Sequence, residues 1–351
     1  MGIVAIVGAG MMGSALCFPA SDNGHDIRLV GTPLDREIIN FASKTGEHLT
    51  LKMALPASVQ FYQIEQLDQA LRGADVLISG VSSFGVDWFS EFVIPQVPQS
   101  LPILSVTKGM INAKDGSLIT YPEYYASQHP EESLSISSIG GLCTSYELAS
   151  HDQTQVCFCG EDVATLRKLK AFMETSYYHI SLSCDVAGVE CAVAIKNAYA
   201  LAVSLAIGLS QRNEGVGGQE HYNSQAALFY QSICEMRRLI KLAGGKEDNI
   251  SWAAGDLFVT VFGGRTRKIG ILLGRGLSYD QAMAELSGIT LESVVITKRM
   301  ANALRARIKN GMLDESDFPL ILHIDDVITK GREVNIPWEK FAYEMTSDGI
   351  I

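Results

Sequence analysis

A lysine lies in the middle of a strongly apolar stretch of the chain. The segment ECAVAIKNAYALAVSLAIGL, residues 190–209, is apolar or small except for Lys196 and three other polar or charged residues. If the segment is a helix, the residues three and four positions from Lys196 are alanine, valine and tyrosine, so none offers a negative charge. Burial of an unpaired ammonium is costly. We therefore predict that Lys196 pairs with an anion from a distant segment or with a ligand, and that it can stabilise and protonate an oxygen that gains negative charge.

Three glycines near the start of the chain form a second group with recognisable chemistry. In IVAIVGAGMMGSAL, Gly8, Gly10 and Gly13 have the spacing G-x-G-x-x-G between a strand-like and a helix-like segment. Gly8 permits a tight turn, Gly10 lets the backbone approach a pyrophosphate, and Gly13 lets the helix pack on the strand. N–H groups at the start of the helix, with Met11 and Met12, would bind the phosphates. The motif predicts a dinucleotide site, and the alternative is a glycine-rich turn without a ligand.

The segment after the second predicted strand leaves the choice between NAD and NADP open. This strand, DIRLVG, ends without the Asp or Glu that commonly binds the adenosine ribose, and TPLDRE follows it. The hydroxyl of Thr32 suits a hydroxyl or phosphate partner. The guanidinium of Arg36 suits a 2′-phosphate, and Arg36 is equally well explained as a solvated surface charge. We therefore predict NAD or NADP as the cofactor without assigning a preference.

The pattern along the chain predicts the elements that position these residues. In the first half, short β-branched runs alternate with helical stretches, which indicates a mostly parallel sheet with crossover helices. After residue 184 long helical periods take over, at residues 186–209, 223–243 and 293–309. We predict an α/β Rossmann-like domain, residues 1–185, and an all-α substrate domain, residues 186–351. The predicted strands are IVAIVG, DIRLVG, SVQFY, DVLISGV, PILSVT, LSISSIG, TQVCFCG and YYHISLS.

The composition argues against several classes of function. A formal net charge of -11, from 28 Lys and Arg against 39 Asp and Glu, repels nucleic-acid backbones. The 7 cysteines include no C-x-x-C pair and the 7 histidines have no ligand spacing, so we expect neither a disulfide framework nor a metal. No basic leader precedes the first strand, and polar residues interrupt every long apolar run. We therefore expect a cytoplasmic protein without membrane insertion.

Further polar motifs complete a resemblance to one family. They are VTKGM at residues 106–110, GLCTSYELA at 141–149, DVAGVECAVAIKN at 185–197, AAGDLFVTVFGGRTRKIG at 253–270 and GITLES at 288–293. With the glycine motif, and in this order over nearly the whole chain, they resemble the NAD(P)-dependent glycerol-3-phosphate dehydrogenases. The segment LVGTPLDRE is most similar to the archaeal-type branch. The resemblance implies hydride transfer between NAD(P)H and dihydroxyacetone phosphate or sn-glycerol 3-phosphate, for phospholipid synthesis or in reverse, by a homodimer.

The resemblance also implies roles for individual residues. Lys196 matches the family's catalytic lysine, Asp256 an acidic residue that would orient it, and Lys108 a second lysine near the reacting oxygen. The implied substrate-binding residues are Asn197, Thr260, Arg265 as the phosphate anchor, and Thr266. The implied cofactor contacts are Gly8, Gly10, Met11, Met12, Gly13, Thr32, Arg36, Phe84, Lys108, Arg265 and Glu292. Structural alternatives are a lysine or arginine that reaches solvent, a helix cap at Asp256 and a surface ion pair at Glu292.

Three motifs depart from the family pattern. The family's G-P-N-x-A-x-E loses its proline and asparagine in residues 141–147, R-N-R becomes Arg265-Thr266-Arg267, and E-G becomes Glu292-Ser293. These positions belong to the family's cofactor and substrate cleft, so another phosphorylated ketose or polyol is an alternative substrate. A dinucleotide-sensing protein without turnover is a third interpretation, which the joint presence of Lys196, Asp256 and Arg265 argues against.

Overall fold

The computed structural model describes residues 1–113, 115–286, 291–341, 345–346 and 349–350. The chain forms two compact units, the first made of residues 1–109 and 120–190 and the second of residues 110–119 and 191–351. The division after residue 190 falls inside a long helix, close to the predicted boundary at residue 185. It also assigns residues 110–119 to the second unit, where the sequence analysis includes them in the first.

A mostly parallel sheet forms the core of the first unit. Its strands are β1 (Ile3–Val7), β2 (Asp26–Val30), β3 (Val59–Tyr62), β4 (Val76–Ser79), β5 (Ile103–Ser105), β8 (Ile136–Leu142), β9 (Thr154–Cys159) and β10 (Tyr178–Ser183), while β6 (Met110–Asn112) and β7 (Leu118–Thr120) pair separately. Along the sheet, as far as the structure describes it, the order is β10-β9-β8-β5-β4-β1-β2-β3. Neighbours are parallel except for β8 and β9. Each predicted strand corresponds to one of these strands, and the predicted α/β class is confirmed.

The sheet reverses its strand order at β1. Residues 4–7 of β1 are fully buried, as expected for a strand covered on both faces. This strand pairs with β2 on one side and with β4 on the other. Ligands of open α/β sheets bind outside the carboxyl ends of the strands at such a reversal. In this chain, Gly8 follows β1 and Gly80 follows β4 at that point.

The helices of the first unit cover this sheet. Asp162 caps α8 because its carboxylate accepts hydrogen bonds from the N–H groups of Ala164 and Thr165, at 3.1 and 2.8 Å. The helices are α1 (Met11–Ala15), α2 (Cys17–Asp22), α3 (Arg36–Thr45), α4 (Leu67–Leu71), α5 (Val86–Trp88), α6 (Tyr121–Gln128), α7 (Ser145–Ala149) and α8 (Val163–Met173). Shorter turns are 3₁₀ at Ile64–Gln66, π at Phe89–Val93 and 3₁₀ at Ile94–Gln96.

The second unit is mainly helical, as predicted. Its helices are α9 (Val186–Glu214), whose first turn belongs to the first unit, α10 (Tyr222–Leu242), α11 (Ile250–Val261), α12 (Gly264–Gly274), α13 (Tyr279–Glu285), α14 (Glu292–Lys309) and α15 (Pro319–Lys330). Short 3₁₀ turns occur at Glu247–Asn249, Glu315–Asp317 and Trp338–Phe341. The strands β11 (Met345–Thr346) and β12 (Gly349–Ile350) pair near the end of the chain. The predicted helices 186–209, 223–243 and 293–309 correspond to α9, α10 and α14.

Arginines of α14 explain why the hairpin of β6 and β7 belongs to the second unit. The guanidinium of Arg299 donates to the carbonyl of Met110 at 3.0 Å, and that of Arg307 donates to the carbonyl of Gly116 at 2.9 Å. Side-chain donors thus reach carbonyls at the start of the hairpin and in its turn. No pattern within residues 110–119 themselves predicts these long-range bonds.

Helix α9 is the central element of the second core. Its side chains from Cys191 to Ile207 are mostly buried among those of the other helices. By length and composition α9 could cross a membrane, but 83% of its most apolar window is buried inside the protein. A core helix of this kind needs no amphipathic stripe, because it is surrounded by protein.

Glu235 joins three helices of the second unit. Its buried carboxylate accepts hydrogen bonds from the N–H groups of Leu320 and Ile321 at the start of α15, at 2.7 and 3.0 Å. It also accepts from the hydroxyl of Tyr199 on α9 and the amide of Gln231 on α10, at 3.0 and 2.8 Å. These donors offset part of the desolvation that raises the pKa of Glu235 to about 7. One carboxylate therefore caps a helix that begins far away in the sequence.

Glu190 is a second fully buried acid, at the start of α9 in the first unit. Burial raises the pKa of its carboxyl from 4.5 to about 8, and the hydroxyl of Ser138 and the charge of Lys108 offset only part of this effect. Glu123 acts in the same direction as burial. The neutral form of Glu190 is therefore favoured at neutral pH.

We predict that Glu190→Gln makes the free energy of unfolding less dependent on pH. The folded state binds this proton more tightly than the unfolded state, so ionisation of Glu190 lowers stability as the pH rises from 4.5 to about 8. Glutamine stays neutral, so the variant should match wild type at about pH 4.5 and exceed it by on the order of 4 kcal/mol once Glu190 is fully ionised. Urea unfolding across this range measures the difference, with Glu131→Gln at an exposed position as the control. A difference that does not change with pH would contradict the prediction.

Candidate functional site

Lys196 lies on α9 and pairs with two side chains of α11. Its ammonium donates to Oδ1 of Asp256 at 2.6 Å and to the hydroxyl oxygen of Thr260 at 2.9 Å. The side chain of Lys196 is 12% exposed and that of Asp256 only 2%. The anion that the sequence analysis expects from a distant segment is therefore Asp256. The pair is thus largely shielded from water. In such surroundings an ammonium interacts more strongly with a nearby oxygen than it does in water.

The spacing on α11 brings both partners of Lys196 to one face. Asp256 and Thr260 are four residues apart, so their side chains lie one turn from each other. The hydroxyl of Thr260 donates to the backbone carbonyl of Asp256 at 2.7 Å. Because its proton is used in this bond, the hydroxyl oxygen is oriented to accept from Lys196. The donor and the acceptor are therefore defined in each hydrogen bond among Lys196, Asp256 and Thr260.

Arg265 lies in the first turn of α12. Gly264 opens this helix in the left-handed conformation, with φ of 80°. The guanidinium of Arg265 is exposed and forms no ion pair with any described residue. That of Arg267, two residues later, donates to the carbonyl of Val261 at 2.7 Å. Arg265 and the helix N-terminus are thus a local positive region suited to an anion.

Close backbone packing fixes α12 beside α9. A Cβ at Gly270 would lie 2.6 Å from the carbonyl oxygen of Leu201, and one at Gly274 would lie 2.3 Å from that of Leu205. The two contacts lie one turn apart on each helix, so the helices run in the same direction where their backbones touch.

Three other predicted site residues lie on α9, α12 and α14. Asn197 follows Lys196 on α9 and is half-buried, and Thr266 is half-buried in the first turn of α12. Glu292 is half-buried as the first residue of α14, where a carboxylate is favoured by the helix dipole. The rest of its motif, residues 288–290, lies outside the described residues.

The glycine turn lies in the first unit, after β1. Gly8 has φ of 113°, and a Cβ there would lie 2.6 Å from the backbone of Gly80. A Cβ at Gly13 would lie 2.1 Å from the carbonyl oxygen of Gly8. The fold therefore requires glycine at both positions. At Gly10, by contrast, φ is -66° and a Cβ would meet no described atom within 4 Å.

This open space at Gly10 fits a dinucleotide. The fold itself has no need of glycine there, whereas a pyrophosphate that touches the backbone does. Met11 is exposed and Met12 half-buried at the start of α1, where helical N–H groups are available for phosphate. Phe84, in the loop after β4, is 54% exposed.

Two residues outside the predicted site hold the turn. The carboxylate of Asp35 accepts from the N–H of Ala9 at 3.1 Å, and the imidazole of His48 contacts the carbonyl of Ala9 at 2.9 Å. Asp35 also accepts from the N–H and hydroxyl of Thr32, at 2.9 and 2.7 Å. No local signal points to His48, because 39 residues separate it from Ala9.

The two candidates for the choice between NAD and NADP are both engaged within the protein. The hydroxyl of Thr32 donates to Asp35, and Arg36 forms an ion pair with Glu65. The bond from Arg36 lowers the pKa of the Glu65 carboxyl. Both members of this pair are more than half exposed, as in the alternative of a solvated surface charge. The preference between NAD and NADP therefore stays open.

Lys108 lies in the first unit. Its ammonium donates to the carbonyl of Gly141 at 2.8 Å, and this glycine opens the segment in which the family's proline and asparagine are replaced.

All 7 cysteines are free. Among the residues that the structure describes, no three His, Cys, Asp or Glu side chains come together as a possible metal site.

Comparison with known proteins identifies the family of this chain. The family models described as the N-terminus and C-terminus of NAD-dependent glycerol-3-phosphate dehydrogenase match residues 3–165 and 185–338. The NADP(+)-dependent glycerol-3-phosphate dehydrogenase of Archaeoglobus fulgidus is 33% identical over 98% of this chain and 99% of its own. A glycerol-3-phosphate dehydrogenase [NAD(P)+] of Lactobacillus delbrueckii is 26% identical over 95% of this chain and 94% of its own.

Solved structures show the same fold. The crystal structure of glycerol-3-phosphate dehydrogenase from Coxiella burnetii superposes with a TM-score of 0.79, covering 97% of both chains at 22% identity. The sequence match to the Archaeoglobus protein extends over both units and nearly the full length of both chains. The chain therefore belongs to the NAD(P)-dependent glycerol-3-phosphate dehydrogenase family and is an oxidoreductase.

Proposed function

We propose that this chain transfers a hydride between NAD(P)H and the carbonyl carbon of dihydroxyacetone phosphate, with Lys196 as the general acid and base. The observation that supports this proposal is the buried group of Lys196, Asp256 and Thr260. It offers one oriented ammonium, largely buried, that is paired with a carboxylate. The product of reduction is sn-glycerol 3-phosphate, and the same groups serve the reverse reaction.

Each step at Lys196 follows from the charge that develops on the substrate. When bound, NAD(P)H supplies the hydride, and the carbonyl oxygen becomes negative as its carbon is reduced. The ammonium of Lys196 stabilises this oxygen and then donates a proton to it. Asp256 and Thr260 hold Nζ in place throughout, so little rearrangement is needed. In the reverse direction, the neutral amine accepts the proton of the substrate hydroxyl.

Arg265 is proposed to bind the substrate phosphate. A guanidinium can form two parallel hydrogen bonds to phosphate oxygens, and the N-terminus of α12 adds positive potential. The helix that begins with this anchor, α12, packs directly against α9, which carries Lys196. Asn197 and Thr266 are proposed as neutral donors to the substrate. Such local positive groups are necessary because the whole chain carries a net charge of -11.

The glycine turn is proposed to bind the dinucleotide. Gly8 and Gly13 shape the turn, and Gly10 leaves its outer side accessible to a pyrophosphate. The cofactor contacts of Thr32, Arg36, Phe84, Lys108 and Glu292 stay predictions. The homodimer and the cytoplasmic location also stay predictions.

A substrate panel tests the reaction. Consumption of NADH and of NADPH should be fastest with dihydroxyacetone phosphate. Faster turnover of a longer ketose phosphate would assign the same chemistry to a different substrate. Dinucleotide binding without turnover of any phosphorylated ketone or polyol would instead favour a sensing protein.

We predict that Lys196→Met lowers kcat by about 10²- to 10⁴-fold and leaves NAD(P) binding intact. The variant should also be less stable by about 3 to 5 kcal/mol, because the carboxylate of Asp256 stays buried without its cation. Adding Asp256→Asn removes that charge and should restore stability without restoring activity. Steady-state kinetics and thermal melts separate the two effects. Lys170→Met, at a half-buried lysine of α8 that pairs with Glu174, is the control. A kcat near wild type in Lys196→Met would remove this residue from the mechanism.

We predict that Arg265→Lys raises the KM of the phosphorylated substrate by about 10- to 100-fold and changes kcat less. A two-point contact is replaced by a point charge, and phosphate binding contributes almost equally to the ground state and the transition state. Arg275→Lys, at the opposite end of α12, is the matched control. If a substrate without phosphate reacted as fast as its phosphate ester, Arg265 would have another role.

We predict that Gly10→Val abolishes dinucleotide binding in a protein that still folds. The new side chain would meet no described atom within 4 Å but would occupy the space that a pyrophosphate needs. Calorimetry with NADH and NADPH measures binding, and circular dichroism checks the fold. Gly217→Val, at an exposed glycine with equally open surroundings, is the control. Unchanged affinity in Gly10→Val would contradict the assignment of the turn.

A further inference from the structure

Both peptide groups of Ala9 are held by side chains from other segments. The N–H of Ala9 donates to Asp35, which precedes α3. The carbonyl of Ala9 accepts from Nε2 of His48 at 2.9 Å and from the hydroxyl of Ser14 at 3.2 Å. His48 and Ser14 are fully buried. Ala9 lies between Gly8 and Gly10, so these bonds act on the centre of the glycine turn.

The bonds determine which way the neighbouring N–H groups point. In a trans peptide, the carbonyl and the N–H point in opposite directions. Because the carbonyl of Ala9 is directed inward to His48, the N–H of Gly10 is directed outward. A Cβ at Gly10 would also meet no described atom within 4 Å, so the surroundings of this residue are open. The preceding peptide is fixed in the same way, since its carbonyl packs against Gly13 while its N–H faces Asp35.

The surroundings of His48 determine its role as a donor. Its Nδ1 accepts from the N–H groups of Thr50 and Leu51, at 3.1 and 2.9 Å. Nδ1 therefore carries no proton, and the neutral ring has its proton on Nε2, facing Ala9. The loop is closed by two backbone bonds of 2.9 Å, from His48 N–H to Met53 and from Lys52 N–H to His48. A compact loop thus presents a single buried donor to the turn.

We propose that Asp35 and His48 are positioning residues that hold the Ala9 peptides in the orientation that binds the dinucleotide. This inference rests on the proposed role of the glycine turn. Without the contacts of Asp35 and His48, only the longer bond from the hydroxyl of Ser14 would hold the peptide between Ala9 and Gly10, so this peptide would be less restrained next to a glycine. Binding would then have to order the turn, and the affinity would fall by that cost.

Two substitutions at His48 test the donor itself. Asparagine places an oxygen where His48 has Nδ1, so it preserves the contacts with Thr50 and Leu51 but does not reach Ala9. Glutamine is long enough to donate to the carbonyl of Ala9. We expect His48→Asn to weaken binding of NADH and NADPH by about 2- to 12-fold, the range for the net contribution of one hydrogen bond. His48→Gln should recover most of the affinity.

The effect should be confined to dinucleotide binding. The KM of NAD(P)H should rise in His48→Asn, while kcat and the KM of the phosphorylated substrate stay near wild type. His25→Asn is the control, because His25 accepts from the N–H of Gly2 at the start of β1, at 3.1 Å, and does not contact the turn. Asp35→Ala should weaken the binding of NADH and of NADPH to a similar extent. Its side chain makes no capping bond to α3, so this helix loses no cap.

Calorimetry on the full-length variants decides between the outcomes. Wild-type affinity in a folded His48→Asn or Asp35→Ala would overturn the proposal. Equal losses in His48→Asn and His48→Gln would also overturn it, because the donor to Ala9 would then not matter. If His48→Asn fails to fold, Asp35→Ala and His48→Gln provide the test. Failure of the wild-type protein to bind either dinucleotide would instead contradict the proposed function.

Discussion

The ion pair between Lys196 and Asp256 is the constraint on which the second unit depends. An ammonium and a carboxylate that are 12% and 2% exposed stabilise the fold only if both stay within hydrogen-bond distance. This requirement holds α9 and α11 in one relative position, and Thr260 reinforces it by accepting a second bond. The surrounding helices exclude water from the pair. The apolar character of α9 thus contributes to the proposed chemistry, because the field of an ammonium is stronger where water is scarce.

The two units position their functional groups by different means. In the second, a charged pair inside the core and close contact between helix backbones hold side chains in place. In the first, the proposed functional groups are backbone N–H groups, and side chains from later segments hold the peptide that precedes them. A glycine turn requires such external support, because the same glycines that admit a ligand also make the turn flexible.

Much of the fold could be predicted because its signals are local. Continuous β-branched runs such as residues 3–7 form the strands, and the glycine spacing indicates the turn that follows. The partners of Arg36 and Ala9 could not be predicted. In the common dinucleotide-binding pattern, an acidic residue at the end of β2 binds the ribose. In this chain the nearest carboxylate, that of Asp35, lies several residues after β2 and accepts from the N–H of Ala9 instead. His48 and Glu65 come from still more distant segments, and only the folded chain brings them close.

The site residues of the second unit also combine local signals with contacts that the sequence does not reveal. Asp256 and Thr260 have a helical spacing that is visible in the sequence, but nothing local connects them to Lys196, and the family resemblance supplied that link. The predicted first domain, residues 1–185, includes residues 110–119 because the pattern changes only after residue 184. Their carbonyls instead bond to arginines of α14, a contact that no local pattern contains.

The glycine contacts between α9 and α12 have a consequence for substrate selection. Where backbone touches backbone, neither helix can slide along the other without a clash, so α9 and α12 are held in one relative position at Gly270 and Gly274. If Lys196 and Arg265 hold the carbonyl and the phosphate of one molecule, the fixed positions of their helices limit the length of that molecule. A longer carbon chain would have to bend between the two fixed ends, and a shorter one could not reach both.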